Sequence, residues 1–274
     1  MKEGCIMQEE YFNDVKSRLK RKEKVSCAWL HMASNVSAEI MANAGFDVLL
    51  IDAEHSPVDY QTMLSMCQAI KAAGCVPFAR APWNDLISLK KICDCGVMGI
   101  SVPYVNTAEE AREAVRRCKY PPFGIRGIAG SPRAAGYGMN RGGYLQRANE
   151  QNLVMVAIET VEGIDNLPEI MKTEELDGIF IGPMDLSTSM GKMGQISSPE
   201  VQEQIRRIEE IVVPSDKFLA TVANDADHAR TLYDRGYNLL VMMSDVVDLS
   251  KMAHKTVQNF REYLAQEAAR KEES

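Results

Sequence analysis

Two acidic residues stand out by where they fall. The apolar run 153–158 ends in Glu159, and a second, 179–181, ends in Gly182-Pro183-Met184-Asp185. A polar, helix-like segment joins them, so the stretch reads as a β-α-β unit with a carboxylate at each strand's C-terminal end. Parallel strands joined by a crossover helix bring such ends side by side. Two carboxylates that close must share a proton or bind a cation. One reading is a pair of ligands for a hard divalent metal, which prefers oxygen donors. The other is a pair of helix N-terminal acids favoured by the dipole, a description that fits Glu162 and Asp165 better than Glu159. Asp185 leads into the short helix-like LSTSM, whose amides, with those near Gly182 and Met184, could hold a substrate carboxylate.

Other runs end in residues of the same kind. Trp29 and His31 close the first, Asp52, Glu54 and His55 the second, and Arg80 the third. His55 offers an imidazole that can take and return a proton, or it can be a structural histidine after a strand. Asp52 is close enough in sequence to orient that imidazole, or to cap the turn backbone, with Glu54 as a neighbouring partner. Arg80 offers a fixed cation for a developing oxyanion or an ion pair with one of these acids, and both can hold at once. No lysine stands at a strand end, so a Schiff-base mechanism lacks its nucleophile, and there is no GxSxG. His228 and His254 fall on predicted helices and read as surface residues.

The elements that must position these groups recur along the chain. Short runs rich in Val, Ile and Leu occur at 25–30, 47–53, 75–80, 97–102, 153–159, 178–182, 218–222 and 238–243. They lack strict alternation, as strands buried on both faces should. Between them lie segments with helical spacing, opened by candidate caps at Asn84, Thr107 (with Glu110 three residues on) and Asn224, and stopped near Gly45, Gly74, Gly96 and Gly236. Eight such units predict a (β/α)8 barrel, one domain over 1–274, with a first helix within 1–24 and a charged tail at 261–274. A doubly wound open sheet is the alternative, but no GxGxxG or GxxxxGKS follows any strand. The Gly-, Arg- and Pro-rich connection 120–152 is either a segment bordering the site or a surface excursion. In a barrel, acids, imidazole and arginine at different strand ends converge on one mouth.

Composition narrows the function classes. The net charge of −7, without a long basic run, argues against nucleic acid and anionic membrane partners. No apolar run reaches the ~20 residues of a membrane span, and the start has no signal-type apolar segment. Seven scattered cysteines without a CxxC read as reduced thiols of a cytoplasmic protein.

These motifs, GFDVLLIDAEH, RAPWND, NTAEEAREAVRRCKYPPFGIRG, IET and DGIFIGPMDLS, are similar in order and spacing to the metal-dependent (class II) 2-oxo-acid aldolases. That family is typified by 4-hydroxy-2-oxoheptanedioate and 2-dehydro-3-deoxyglucarate aldolases, and macrophomate synthase is of the same superfamily. The resemblance covers about 26–260. It implies a barrel of the phosphoenolpyruvate/pyruvate type, and a homohexamer built as a trimer of dimers that exchange the last helix. It implies Mg²⁺, Mn²⁺ or Co²⁺ on Glu159 and Asp185, His55 as base, Asp52 as its dyad partner and Arg80 as the transition-state arginine. Asp94 matches an acid that raises the histidine's basicity from a neighbouring subunit, and Trp29 an aromatic of the pyruvate pocket. Two positions depart from the family pattern. Ala157 stands where many relatives carry a substrate-holding glutamine, and Ala53 where glycine or threonine is frequent. The expected reaction is reversible aldol cleavage of a 4-hydroxy-2-oxo acid to pyruvate and an aldehyde. Oxaloacetate decarboxylation or an enolate-trapping synthesis on the same residues, an acyl-CoA lyase, and a non-catalytic metabolite-binding relative are the alternatives.

Overall fold

Each apolar run becomes a strand in the computed structural model, which describes residues 11–272. The strands are β1 (Val25–Leu30), β2 (Val48–Asp52), β3 (Val76–Arg80), β4 (Gly99–Val102), β5 (Leu153–Ile158), β6 (Gly178–Ile181), β7 (Phe218–Val222) and β8 (Leu239–Ser244). They close, all parallel and in sequence order, into one barrel, which is the predicted (β/α)8 fold. Before, between and after them come α1 (Asp14–Lys20), α2 (Asn35–Asn43), α3 (Tyr60–Ala72), α4 (Leu86–Asp94), α5 (Ala108–Cys118), α6 (Arg141–Gln151), α7 (Val161–Asp165), α8 (Leu167–Ile170), α9 (Pro183–Ser189), α10 (Pro199–Val212), α11 (Ala226–Asp234) and α12 (Asp245–Glu272).

The strands are buried on both faces because the barrel has two cores. One face of each packs with the surrounding helices, in a cluster that includes Leu49, Ile51, Ile100, Val154, Ile158 and Ile179. The other fills the barrel with Val48, Leu50, Phe78, Met155, Ala157, Phe180 and Phe218. Space inside is tight. A Cβ on Gly99 would sit 2.5 Å from the Phe78 ring, and one on Gly178 equally close to Phe218, so each ring lies over a glycine of the next or preceding strand. Helix α1 closes the N-terminal end: Val15 and Leu19 join the inner core, and Lys16 Nζ reaches the Asn152 carbonyl and Asp177, 3.0 Å each. The first helix thus covers only part of the expected 1–24, of which 1–10 lie outside the described residues together with Cys5. The other six cysteines are buried and free.

Local signals behave as their chemistry dictates, with two shifts. Thr107 forms the capping box with Glu110. At the other two starts the cap is the aspartate one residue on, Asp85 and Asp225, whose carboxylates accept the first-turn amides. Asn84 instead accepts from Arg117 and donates to the Glu110 carbonyl. Gly45, Gly74, Gly96 and Gly236 all adopt positive φ just past helix ends. The connection 120–152 does not border the central cavity of its own chain. It folds onto the outside of the barrel, where Arg133 donates to the carbonyls of Cys95 (2.9 Å) and Cys67 (3.1 Å) and the fully buried Arg126 pairs with Asp94. The tail belongs to the 28-residue α12, which carries Leu249, Met252, Phe260, Tyr263 and Leu264 exposed. No helix among the described residues is long and apolar enough to cross a membrane.

Candidate active site

The inward register carries the chemistry. Side chains alternate along a strand, so Asp52 shares a face with Val48 and Leu50, Arg80 with Phe78, and Glu159 with Met155 and Ala157. Register then selects contacts. Asp52 is the Cα partner of Arg80 across β2 and β3. Arg80 Nε and Nη2 donate to the two oxygens of Asp52 at 2.9 and 2.7 Å, a bidentate pair, and the guanidinium lies 4.4 Å from the Trp29 ring centre. Arg80 Nε is also 3.1 Å from Glu54, which gains charge attraction while its Oε2 has no hydrogen-bond partner among the described residues.

Asp52 does not orient His55 through its ring. Its carboxylate accepts the backbone N–H groups of Glu54 (3.0 Å) and His55 (3.4 Å), so it caps the turn after β2. That turn takes His55 out of the strand alternation. Its side chain is 61 % exposed on the rim, 3.7 Å from Glu54. The imidazole that meets Asp52 is His31, with Nε2 at 3.1 Å from Oδ2 and Nδ1 at 3.1 Å from the Ser244 hydroxyl. Asp245 fixes the loop by accepting the His31 amide at 2.8 Å. The sequence marks His31 only as a strand-end residue, yet its place two residues after Trp29 puts it in the inward set. Burial alone would raise the Asp52 carboxyl. The hydrogen bonds from His31 and Arg80, and the Arg80 charge, outweigh that and hold it well below the usual carboxylate range.

Glu159 is buried at the end of β5, and Tyr104 donates its amide to Oε2 at 3.2 Å. Tyr104 has φ 56°, a left-handed conformation that a non-glycine residue seldom takes and that aims this amide at the acid. Gly182 leaves the carboxylate room, since a Cβ there would come within 2.3 Å of Oε1. Burial, and then the charges of Asp185 and Glu54, push Glu159 up to about 7. Burial likewise raises Glu54, against the pull of Arg80 and His55.

A cavity of about 700 Å³ opens over these groups, lined by Trp29, His31, Arg80, Glu159 and residues 182–185 among others. Four predicted residues lie off it, the fully buried Asp52 being one. Ala157 is packed in the inner core, where its carbonyl accepts the Val105 amide. His55 stands on the rim, and Asp94 ends α4, paired with Arg126 at 2.6 Å and lining a separate shallow pocket. In the other direction, His228, a surface residue by helical pattern, lines the cavity from the first turn of α11. At α9 the Gly182 amide is engaged by the Ile158 carbonyl and Pro183 has no N–H, so the amides that open the helix are those of Met184 and Asp185.

A divalent cation fits this donor set. Glu159 and Asp185 would supply oxygens, and beyond its burial Glu159 carries the repulsion of Asp185 and Glu54, which a cation would relieve. Among the described residues no group of three His, Cys, Asp or Glu side chains could hold a metal, so further ligands would come from water or substrate.

Fold and mouth together define a (β/α)8 barrel with an acid–arginine site at the C-terminal ends of its strands. Residues 26–251 match the HpcH/HpaI aldolase/citrate lyase family, and the chain belongs to that family. It is 41 % identical over 249 residues to a 4-hydroxy-2-oxo-heptane-1,7-dioate aldolase of Escherichia coli, covering 90 % of this chain and 95 % of the relative. It is 36 % identical over 256 residues to a hydroxypyruvate/pyruvate aldolase of Delftia acidovorans, covering 93 % and 94 %. Among solved structures, an HpcH/HpaI aldolase/citrate lyase family protein from Burkholderia cenocepacia superposes with a TM-score of 0.87 at 35 % identity, over 91 % of this chain and 99 % of that one.

Proposed function

We propose that the protein is a divalent-metal-dependent aldolase that cleaves a 4-hydroxy-2-oxo acid to pyruvate and an aldehyde. The observation that carries the reading is the convergence of Glu159, Asp185 and Arg80 on one cavity at the barrel mouth. The names of the two aldolase relatives agree with it. Glu159 and Asp185 hold the cation, Mg²⁺, Mn²⁺ or Co²⁺. When bound, it supplies Lewis-acid stabilisation of charge growing on a 2-oxo carboxylate. Tyr104 and Gly182 keep Glu159 aimed, one by its amide and the other by lacking a Cβ. Arg80, locked by Asp52 and stacked on Trp29, offers a preorganised cation to the oxyanion. The amides of Met184 and Asp185 receive the substrate carboxylate. His55 takes the 4-hydroxyl proton at the rim, 3.7 Å from Glu54. Asp52 serves Arg80 and His31 in this scheme.

The exposed apolar residues of α12 support a further part of the reading. They fit a helix that packs on a second copy, as in a hexamer with exchanged last helices.

The test is exchange of the pyruvate methyl protons in D₂O, followed by NMR with Mg²⁺ or Mn²⁺ and then with chelator. Metal-dependent exchange is expected. No exchange with any of the metals rejects pyruvate enolisation, and release of CO₂ from oxaloacetate would then assign decarboxylation.

A further inference from the structure

The cavity is longer than a pyruvate-sized molecule needs. From Glu159 and Asp185 it continues past Ile196 and over β7 into a groove between α10 and α11, where Ile205, Leu232 and His228 line it. The walls of this arm mix apolar side chains with polar ones, several of which are engaged within the chain. The Gln202 amide donates to the Ile196 carbonyl at 3.0 Å, and the Thr221 hydroxyl to the Ile181 carbonyl at 3.0 Å. Arg235, the cation of the arm, is paired with Glu209 at 2.5 Å, and Glu209 also accepts from the Tyr237 hydroxyl.

His228 is different. Its Nδ1 accepts the Asn224 amide at 3.1 Å. A ring nitrogen that accepts carries no hydrogen, so the neutral imidazole keeps its proton on Nε2. That N–H has no partner among the described residues. The arm therefore offers a partly apolar passage with neutral polar side chains, His228, Ser197, Ser198 and Asn224 among them, and no unpaired cation among its described lining residues. A carboxylate entering it would lose water without meeting a counter-charge, close to the acidic Asp225 and Asp227.

We propose that this arm binds the chain of the aldehyde partner and selects an uncharged aliphatic aldehyde several carbons long, whose distal oxygen accepts from His228 Nε2. The inference rests on the aldolase reading and adds the substrate class. It also separates this chain from its relative named for a heptanedioate, because cleaving that diacid between its third and fourth carbons releases an aldehyde with a terminal carboxylate.

Three aldehydes of matched length decide it in aldol addition to pyruvate: pentanal, 4-oxopentanal and succinic semialdehyde. The ketone is nearly the shape of the carboxylate without its charge. The expected order for the wild type is 4-oxopentanal above succinic semialdehyde by tenfold or more in kcat/KM, roughly the cost of placing a charge where only neutral hydrogen-bonding groups await it. His228→Phe should erase the preference for 4-oxopentanal over pentanal, a ratio read within one variant and so independent of its total activity. Ile196→Trp should lower pentanal relative to acetaldehyde. If succinic semialdehyde is the best of the three, or if both ratios stay at wild-type values in the variants, the inference is overturned while the aldolase reading stands. If the wild type exchanges no pyruvate protons with any metal, the aldolase reading fails and takes this assignment with it.

Discussion

Gly182→Ala isolates the placement of one carboxylate. Gly182 has φ −96° and ψ 88°, which alanine tolerates, so backbone strain is not the issue. The added methyl would lie 2.3 Å from Glu159 Oε1, 2.6 Å from Cγ and 2.8 Å from Cδ. Ordinary contact begins near 3.4 Å, so the carboxylate must retreat by about 1.1 Å, the difference between 3.4 and 2.3 Å. It cannot do so freely, because Oε2 is held by the Tyr104 amide at 3.2 Å. A misplacement of about 1 Å at a reacting centre costs on the order of 10²-fold in rate, or about 2.7 kcal/mol. The variant should therefore lose roughly 10²-fold in kcat/KM for pyruvate-forming cleavage and bind Mn²⁺ more weakly, read by electron paramagnetic resonance of the free ion. Gly178→Ala is the control. It lies on β6 too, but its methyl would strike the Phe218 ring at 2.5 Å inside the barrel. That overpacking should cost about 1–3 kcal/mol in urea unfolding and leave Mn²⁺ affinity near wild type. Wild-type turnover and Mn²⁺ affinity in Gly182→Ala would refute the placement of Glu159 as a ligand.

Other measurements probe the same frame. Because burial and the neighbouring acids push Glu159 up to about 7, a cation must displace a proton below that pH. Its apparent Kd for Mn²⁺ should weaken about tenfold per pH unit below 7 and level off above it, and a flat profile from pH 5 to 8 would contradict the assignment. Asp52→Asn leaves the buried Arg80 without its carboxylate and should cost about 3–5 kcal/mol in urea unfolding; a change under 1 kcal/mol would show that Glu54 replaces the pairing. The stabilisation from Asp52 has a definite pH sense: its carboxyl is depressed, so the contribution is present above the ordinary carboxylate pKa and disappears only in strong acid. Phe260→Asp, at an exposed site on α12, should reduce the assembly mass seen by light scattering, and an unchanged mass would exclude that face from the contact.

Much of the frame is legible in the sequence because its causes are local or periodic. Strands buried on both faces leave short apolar runs, and all eight appear where those runs fall. A period of two then tells which strand-end residues face inward, and Trp29, Asp52, Arg80 and Glu159 follow it. What it cannot supply is where the alternation stops. Asp52 accepts two backbone amides and turns the chain, and that turn carries His55 to the rim while His31, still in the inward set, meets Asp52. Proximity in sequence therefore named the wrong imidazole for this aspartate. His228 escaped for a related reason. Helical periodicity marks it as polar surface, but α11 begins at the barrel mouth, so its first turn faces the cavity. The connection 120–152 holds its place through single polar contacts, such as Arg133 on the Cys67 and Cys95 carbonyls, which have no period to read. The regular part of this chain sets which elements exist and which way they face. The turns after the strands decide which acids, imidazoles and amides meet, and in a barrel those turns are where the chemistry is placed.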